Sequence, residues 1–261
     1  MTLPAGPQGT RDARRTVPAL LLFLLQLTLP ASALSGEWRV TPIRIDLGKD
    51  AKSGAVVVFN ESDERLQLQM KAFEWTQDKD GKDQYEETDN ILFFPRIMIF
   101  DRQGEKILRA GIKGPPSAKE KTYRLFLEEM PEPKKPEGAQ VAIAIRFGVP
   151  IFVHPLKGEI RGEVGPVTMS SGTLRIPVRN AGNAHFMIQS ILIKGKGGNQ
   201  EEIFSRELSG WYLLAGASRL YTTAVPPETC GNLSNINVEV RTDNLPFHGQ
   251  LVADPSMCAA K

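Results

Sequence analysis

The sequence predicts an all-β fold, and three observations carry that expectation. Short segments rich in β-branched and aromatic residues recur along the chain, bounded by Gly, Pro, Asn or Asp; they cover residues 38–47, 55–59, 66–75, 91–100, 123–127, 141–153, 164–169, 173–178, 186–193, 218–224 and 236–241. No long stretch repeats apolar residues at the spacing of a helix face, so helices are not expected to build the core. The segments also divide into two sets of similar size on either side of Pro155, where an apolar strand gives way to Pro155, Lys157 and Gly158. Many short strands with turn punctuation fold as sandwiches, and two immunoglobulin-like sandwiches in tandem, over residues 34–154 and 155–261, are the expected architecture.

Ahead of the first strand, Arg11, Arg14 and Arg15 precede an apolar run from Val17 to Leu29, and Ala31, Ser32 and Ala33 follow it. A charged region, a short apolar region and a small-residue site make residues 1–33 a secretory signal peptide, cleaved after Ala33. The run falls short of the ~20 apolar residues of a membrane span, so secretion is read in preference to an anchor. Three of the chain's 32 basic and one of its 30 acidic residues lie in this segment. The remainder carries 29 of each, and this balance argues against nucleic acid as a partner. No later stretch is long and apolar enough for a membrane helix, so no stable membrane insertion is expected.

The segment from Arg44's neighbours onward, residues 38–47, is β-like apart from that arginine. Arg44 is either a solvated strand position or a guanidinium fork that holds a carboxylate. Residues 76–87 place Asp78, Asp80, Gly81 and Glu87 where a calcium loop has ligands, but Thr76 takes the first position and no helices flank it. A polar loop turning on Asp80 and Gly81 between two strands is the expected reading. The stretch from Ala139 to Pro155 is the longest apolar alternation: Val141, Ile143, Ile145, Phe147, Val149 and Ile151 share one parity. Such a strand must be covered, and at a sheet edge it is a template for pairing with another chain.

Catalytic motifs are absent around His154, His185 and His248, which are expected as loop or surface residues; no catalytic residue, metal or cofactor is predicted, and the chain is not expected to be an enzyme. The sequons at Asn60 and Asn232 are left unassigned. In an oxidising compartment the two cysteines, Cys230 and Cys258, are expected to pair, closing a loop that stabilises by about 3 kcal/mol.

An ordered set of matches resembles the periplasmic chaperones of the chaperone–usher pilus pathway. Residues 40–47, with Pro42 and Arg44, resemble their first strand, and residues 56–60, ending in Asn60, their second. Ile91 to Arg96 with Leu108 and Arg109 resemble the central block. Tyr123 to Pro131 resembles the strand before the long loop, and Gly148 to Pro155 the end of the donor strand. Val178 to His185 resembles the Asn-containing turn of the second domain. The blocks 123–128 and 148–153 are most similar to the archaic, Csu-like branch.

The resemblance implies a mechanism. Pilus subunits lack their last strand, and the chaperone lends its own; here the donors would be Ala139, Val141, Ile143 and Ile145. Arg44 would anchor the subunit's C-terminal carboxylate in the cleft between domains. The family's usual pattern adds a lysine at the position of Pro150, which cannot serve, so either Arg44 would hold the carboxylate alone or another cation, Arg146 or Arg109, would substitute. The expected partners are pilus or fibre subunits and an outer-membrane usher, in the periplasm. A secreted immunoglobulin-like fibre subunit or adhesin is the alternative. A subunit would be a single incomplete domain with an N-terminal donor extension, neither of which fits this chain. A secreted hydrolase on a β-sandwich is a third reading, for which the sequence nominates no residues.

Overall fold

The computed structural model describes residue 2, residues 38–130 and residues 144–259; the expected signal peptide, apart from Thr2, lies outside them. The first half runs through β1 (Trp38–Thr41), β2 (Ile45–Leu47), β3 (Ser53–Asn60), β4 (Leu66–Gln77), β5 (Asp83–Glu87), β6 (Ile91–Phe94), β7 (Ile97–Phe100), β8 (Glu105–Ile112), β9 (Lys121–Glu129) and β10 (Arg146–Val153). The second runs through β11 (Gly162–Val164), β12 (Thr168–Ser170), β13 (Thr173–Asn180), β14 (Phe186–Gly197), β15 (Glu202–Ser209), β16 (Tyr212–Leu213), β17 (Ser218–Ala224), β18 (Leu233–Thr242) and β19 (Phe247–Val252).

The first-half strands form two sheets, β1-β3-β8-β6 and β2-β10-β9-β4-β5 with β7 on β4. The second-half strands form two more, β11-β13-β12 with β17 on β13, and β15-β14-β18-β19 with β16 on β14. Each pair of sheets encloses its own apolar cluster, one around Val56, Leu108, Leu125 and Ile151, the other around Ile176, Phe186, Ile193 and Val238. Period-2 alternation puts these residues inward: β13 buries Leu174, Ile176, Val178 and Asn180 and turns the residues between them outward. The chain therefore folds as the two tandem immunoglobulin-like sandwiches expected. The described residues from Trp38 onward form one compact unit, with Trp75, Phe152 and Leu214 packed between the sandwiches.

Two expected strands are each split. Residues 38–47 break after Thr41, so that β1 joins one sheet and β2 the other, and residues 91–100 break at Pro95 with the same result for β6 and β7. A proline cannot donate to a ladder, and at both places the chain changes sheets. β5, β15 and β19 escaped the pattern because they bury few side chains: β5 reads Asp83 to Glu87 with four of its residues exposed.

The two sandwiches repeat one device. Asn60 ends β3 and Asn180 ends β13, and both are buried. Each side-chain amide donates to two carbonyls, Glu64 O and Asp101 O for Asn60 and Ala184 O and Leu213 O for Asn180, at 2.8–3.0 Å. Each side-chain oxygen accepts from the N–H two residues on. A buried amide satisfied this way pins a turn to a neighbouring loop. Cys230 and Cys258 are bonded, 5.8 Å apart at Cα, and join the helical turn Pro227–Cys230 to the 3-10 turn Pro255–Cys258.

Candidate functional site

Strand β10 organises the site. It pairs antiparallel with β9 along its whole length, but parallel with β2 only at Ile151–Val153. Residues 146–150 thus have a strand partner on one side only, among the described residues. Phe147, Val149, Ile151 and Val153 face the sandwich's own core. Ile145 shares their parity yet is 37% exposed, so the apolar set leaves the core at that residue. Its backbone is tied to Glu129: its N–H donates to the carboxylate at 3.1 Å and its carbonyl accepts from the Glu129 N–H at 3.0 Å. The other expected donor residues, Ala139, Val141 and Ile143, lie outside the described residues.

The opposite face of this sheet carries the charges. Tyr123, Ile151 and Ile45 lie abreast in β9, β10 and β2. One step earlier on β10, Pro150 stands opposite Arg124, with Arg44 leading into β2 on its other side. Arg44 is exposed and its Nε donates to Asp46 Oδ2 at 2.9 Å. Arg124 is buried: Nη1 donates to the Gly148 carbonyl at 3.0 Å, and the guanidinium lies 4.0 Å from the Trp75 ring, with the Trp211 and Tyr212 rings within 6 Å. Its Nε and Nη2 are buried without a hydrogen-bond acceptor. Gly148 leaves room for this packing, since a Cβ there would meet the Phe126 ring at 2.8 Å.

Neither expected helper stands beside Arg44. Arg146 is four residues along β10 from Pro150, about 13 Å, and pairs with Glu128 at 2.7 Å beneath the Phe126 ring. Arg109 is an exposed residue of β8, in the other sheet.

Sequence reasoning missed a charged relay that begins at Arg44. Asp46 Oδ1 lies 3.0 Å from His154 Nε2, and His154 Nδ1 lies 2.8 Å from Glu120 Oε1. Glu120 Oε2 takes the His185 Nδ1 contact and the His185 backbone N–H, each at 2.7 Å. The relay crosses from the first sandwich to the second. Burial raises the Glu120 pKa, but the hydrogen bonds from His154 and His185 outweigh it and hold the carboxyl at about 2, from a usual 4.5. The Glu120 bond raises the His154 pKa, against partial burial, and Asp46 adds to the rise. His185 lies in the loop before β14, within the loop-or-surface expectation, but it is buried there and stacks on Phe152 at 3.5 Å between ring centroids. No motif spacing links Glu120 to residues 34 and 65 positions away, so only the fold brings them together.

Other contacts hold the sandwiches together. Gln77 donates to the Tyr212 carbonyl at 2.9 Å and accepts from Leu214 N–H at 3.0 Å, and Trp211 donates to Asp83 at 2.9 Å. The 76–87 segment is a hairpin: Asp78 Oδ1 accepts from the N–H groups of Asp80 and Lys82, and Gly81 takes φ +74°, which suits glycine.

Residues 38–158 match the family described as pili and flagellar-assembly chaperone, PapD N-terminal domain. No curated protein matches the chain. Among solved structures, it resembles the CsuC–CsuE chaperone–tip adhesion subunit pre-assembly complex from archaic chaperone–usher Csu pili of Acinetobacter baumannii. That match has a TM-score of 0.57 and 18% identity over 80% of this chain and 97% of that one. It also resembles the Salmonella enterica SafA pilin–SafB chaperone complex, with a TM-score of 0.51 and 16% identity over 82% and 96%. The CupB2 chaperone of Pseudomonas aeruginosa gives 0.51 and 13% over 82% and 100%. At these identities the likeness is one of fold.

Proposed function

We propose, for a chain whose residues 38–158 match the pili and flagellar-assembly chaperone family, a periplasmic chaperone that completes the fold of pilus or fibre subunits with its own strand. The observation that carries this is the passage of the β10 apolar set out of the core at Ile145, on a strand whose first half has one open edge. The same parity continues upstream through Ile143, Val141 and Ala139. An incomplete subunit sandwich would take these side chains into its groove, and the open edge would supply backbone hydrogen bonds that tolerate any sequence. Register would be fixed by the side chains, because a one-residue slip turns all of them to the wrong face. The similarity in fold to chaperones solved with their subunits supports the same reading.

Arg44 anchors the subunit's C-terminal carboxylate. It is exposed, it sits at the sheet face beside Pro150, and its single described partner is Asp46, through Nε, which leaves its other nitrogens for a ligand. Arg124, one strand further across, adds a buried guanidinium whose Nε and Nη2 have no hydrogen-bond acceptor. Arg146 is engaged by Glu128. Delivery of the capped subunit to an outer-membrane usher, after export by a signal peptide over residues 1–33, completes the role.

The test is co-purification with secreted subunits encoded beside this chain. Wild type should hold a subunit in a one-to-one complex, and Ile143→Asp should lose it while remaining folded, since a charge cannot enter an apolar groove without its hydration. Undiminished capture by Ile143→Asp would overturn the donor-strand role.

A further inference from the structure

His154 has a carboxylate oxygen against each ring nitrogen: Glu120 Oε1 at 2.8 Å from Nδ1 and Asp46 Oδ1 at 3.0 Å from Nε2. A neutral imidazole carries one N–H, so it would set a lone pair against one of these oxygens; an imidazolium donates to Asp46 and meets the Glu120 oxygen, which has no aligned donor, as an ion-pair contact. The two carboxylates differ. Glu120 is buried, bound by His185 through Oε2 and left with no aligned donor at Oε1, so its charge holds the His154 contact in preference to the solvated partner. Asp46 is partly solvated and shares its second oxygen with Arg44, so it is the contact that breaks when His154 becomes neutral.

We propose that His154, as an imidazolium held between Asp46 and Glu120, is the positioning residue that sets Arg44 for an incoming carboxylate, and that anion capture at Arg44 weakens as His154 loses its proton. While His154 is charged, the Asp46 carboxylate is divided between two cations and its orientation is fixed from both sides. Once His154 is neutral, Asp46 bears on Arg44 alone, and the group Arg44, Asp46, His154 and Glu120 passes from no net charge to one negative charge. A carboxylate arriving at Arg44 then meets repulsion where before it met none. The other titratable ring in contact with the relay is His185, whose Nδ1 lies 2.7 Å from Glu120 Oε2 and which is common to wild type and His154→Gln; Lys119 and Lys121 flank Glu120, and Lys157 lies in the connection between the sandwiches. Tyr212 contributes a ring 5.7 Å from His185. The Lys119 ammonium reaches toward Gly216 of the second sandwich.

The coupling of His154 to Arg44 stands on the relay alone, whereas its effect on capture rests on the chaperone reading above. Two measurements separate them. The first is nitrogen NMR of the His154 ring and the Arg44 Nε–H of the full chain, without ligand. The Arg44 resonance should move with the His154 midpoint, above the free-histidine value of about 6.5, and should stay still in His154→Gln. An Arg44 resonance that ignores His154 overturns the coupling. The second is affinity for a co-purified subunit at about pH 6 and about pH 9, below and well above the free-histidine value. Wild type should bind between about twofold and tenfold more weakly at the higher pH, and His154→Gln should show no such loss. Equal pH dependence in both proteins overturns the role in capture. Failure to hold a subunit at either pH would instead overturn the chaperone reading and leave the NMR result standing.

Discussion

Arg124 lies directly opposite Pro150 in the β9–β10 ladder, and its guanidinium is buried among aromatic rings with one carbonyl for a hydrogen-bond partner. The family pattern puts a lysine at the position Pro150 occupies. A cation is thus retained on the same sheet face, one strand away.

Its burial leads to a separable outcome. Cation–π contact and one hydrogen bond offset the cost of hiding the charge, so Arg124→Met, which keeps much of the volume, should melt at the same temperature or higher. Subunit affinity should fall, because the face loses a positive charge. Thermal melting and a binding titration on the same protein check both halves; a large loss of stability would make Arg124 a structural pin with no electrostatic role.

Arg44→Ala should do the reverse of a core substitution. The Arg44–Asp46 pair is exposed, and such pairs contribute about 0–1 kcal/mol. Denaturant midpoints should therefore barely move, while capture of a subunit with a free C-terminal carboxylate weakens. Loss of several kcal/mol of stability would assign Arg44 to the fold.

Acid should act through Glu120. Its folded value of about 2 lies below the usual 4.5, so its ionised form contributes stability that is present above 4.5 and lost as pH falls toward 2. The shift corresponds to roughly 3 kcal/mol. Unfolding free energy measured across that interval should decline more steeply for wild type than for Glu120→Gln, which has no carboxyl to protonate. Parallel profiles would mean that other carboxylates govern the acid limb.

Reduction of Cys230–Cys258 should lower the stability of the second sandwich. The bond closes 28 residues, worth about 3 kcal/mol by loop entropy, and it ties the turns at both ends of the β18–β19 hairpin. Unfolding followed at Trp211 with and without reductant would register the loss; an unchanged midpoint would leave the bond without a stabilising part.

The alternation in 139–153 and the turn residues between strands made the two-sandwich fold legible, because one-sided burial writes period 2 into the sequence. Asn60 was visible as a strand end and Asn180 as part of a turn, though their shared hydrogen-bonding role appears only when Glu64, Asp101, Ala184 and Leu213 come near. The sheet changes at Pro42 and Pro95 were not read, since a proline marks a break without saying where the chain goes next. Arg44 could be singled out because a charge interrupts an apolar strand. Glu120, His154 and His185 could not, because each is ordinary in its own neighbourhood and the relay exists only where two sandwiches meet. Arg124 was hidden within the apolar strand 123–127, where its cage of Trp75, Trp211 and Tyr212 is built from three distant segments.

Amide hydrogen exchange across residues 139–150, with and without a bound subunit, tests the donor strand most directly. The account predicts that the amides facing the open edge exchange quickly in the free protein and become protected in the complex, continuous with those of Ile151–Val153. Protection unchanged by a stoichiometric subunit would mean that the subunit binds elsewhere and that β10 lends it no strand.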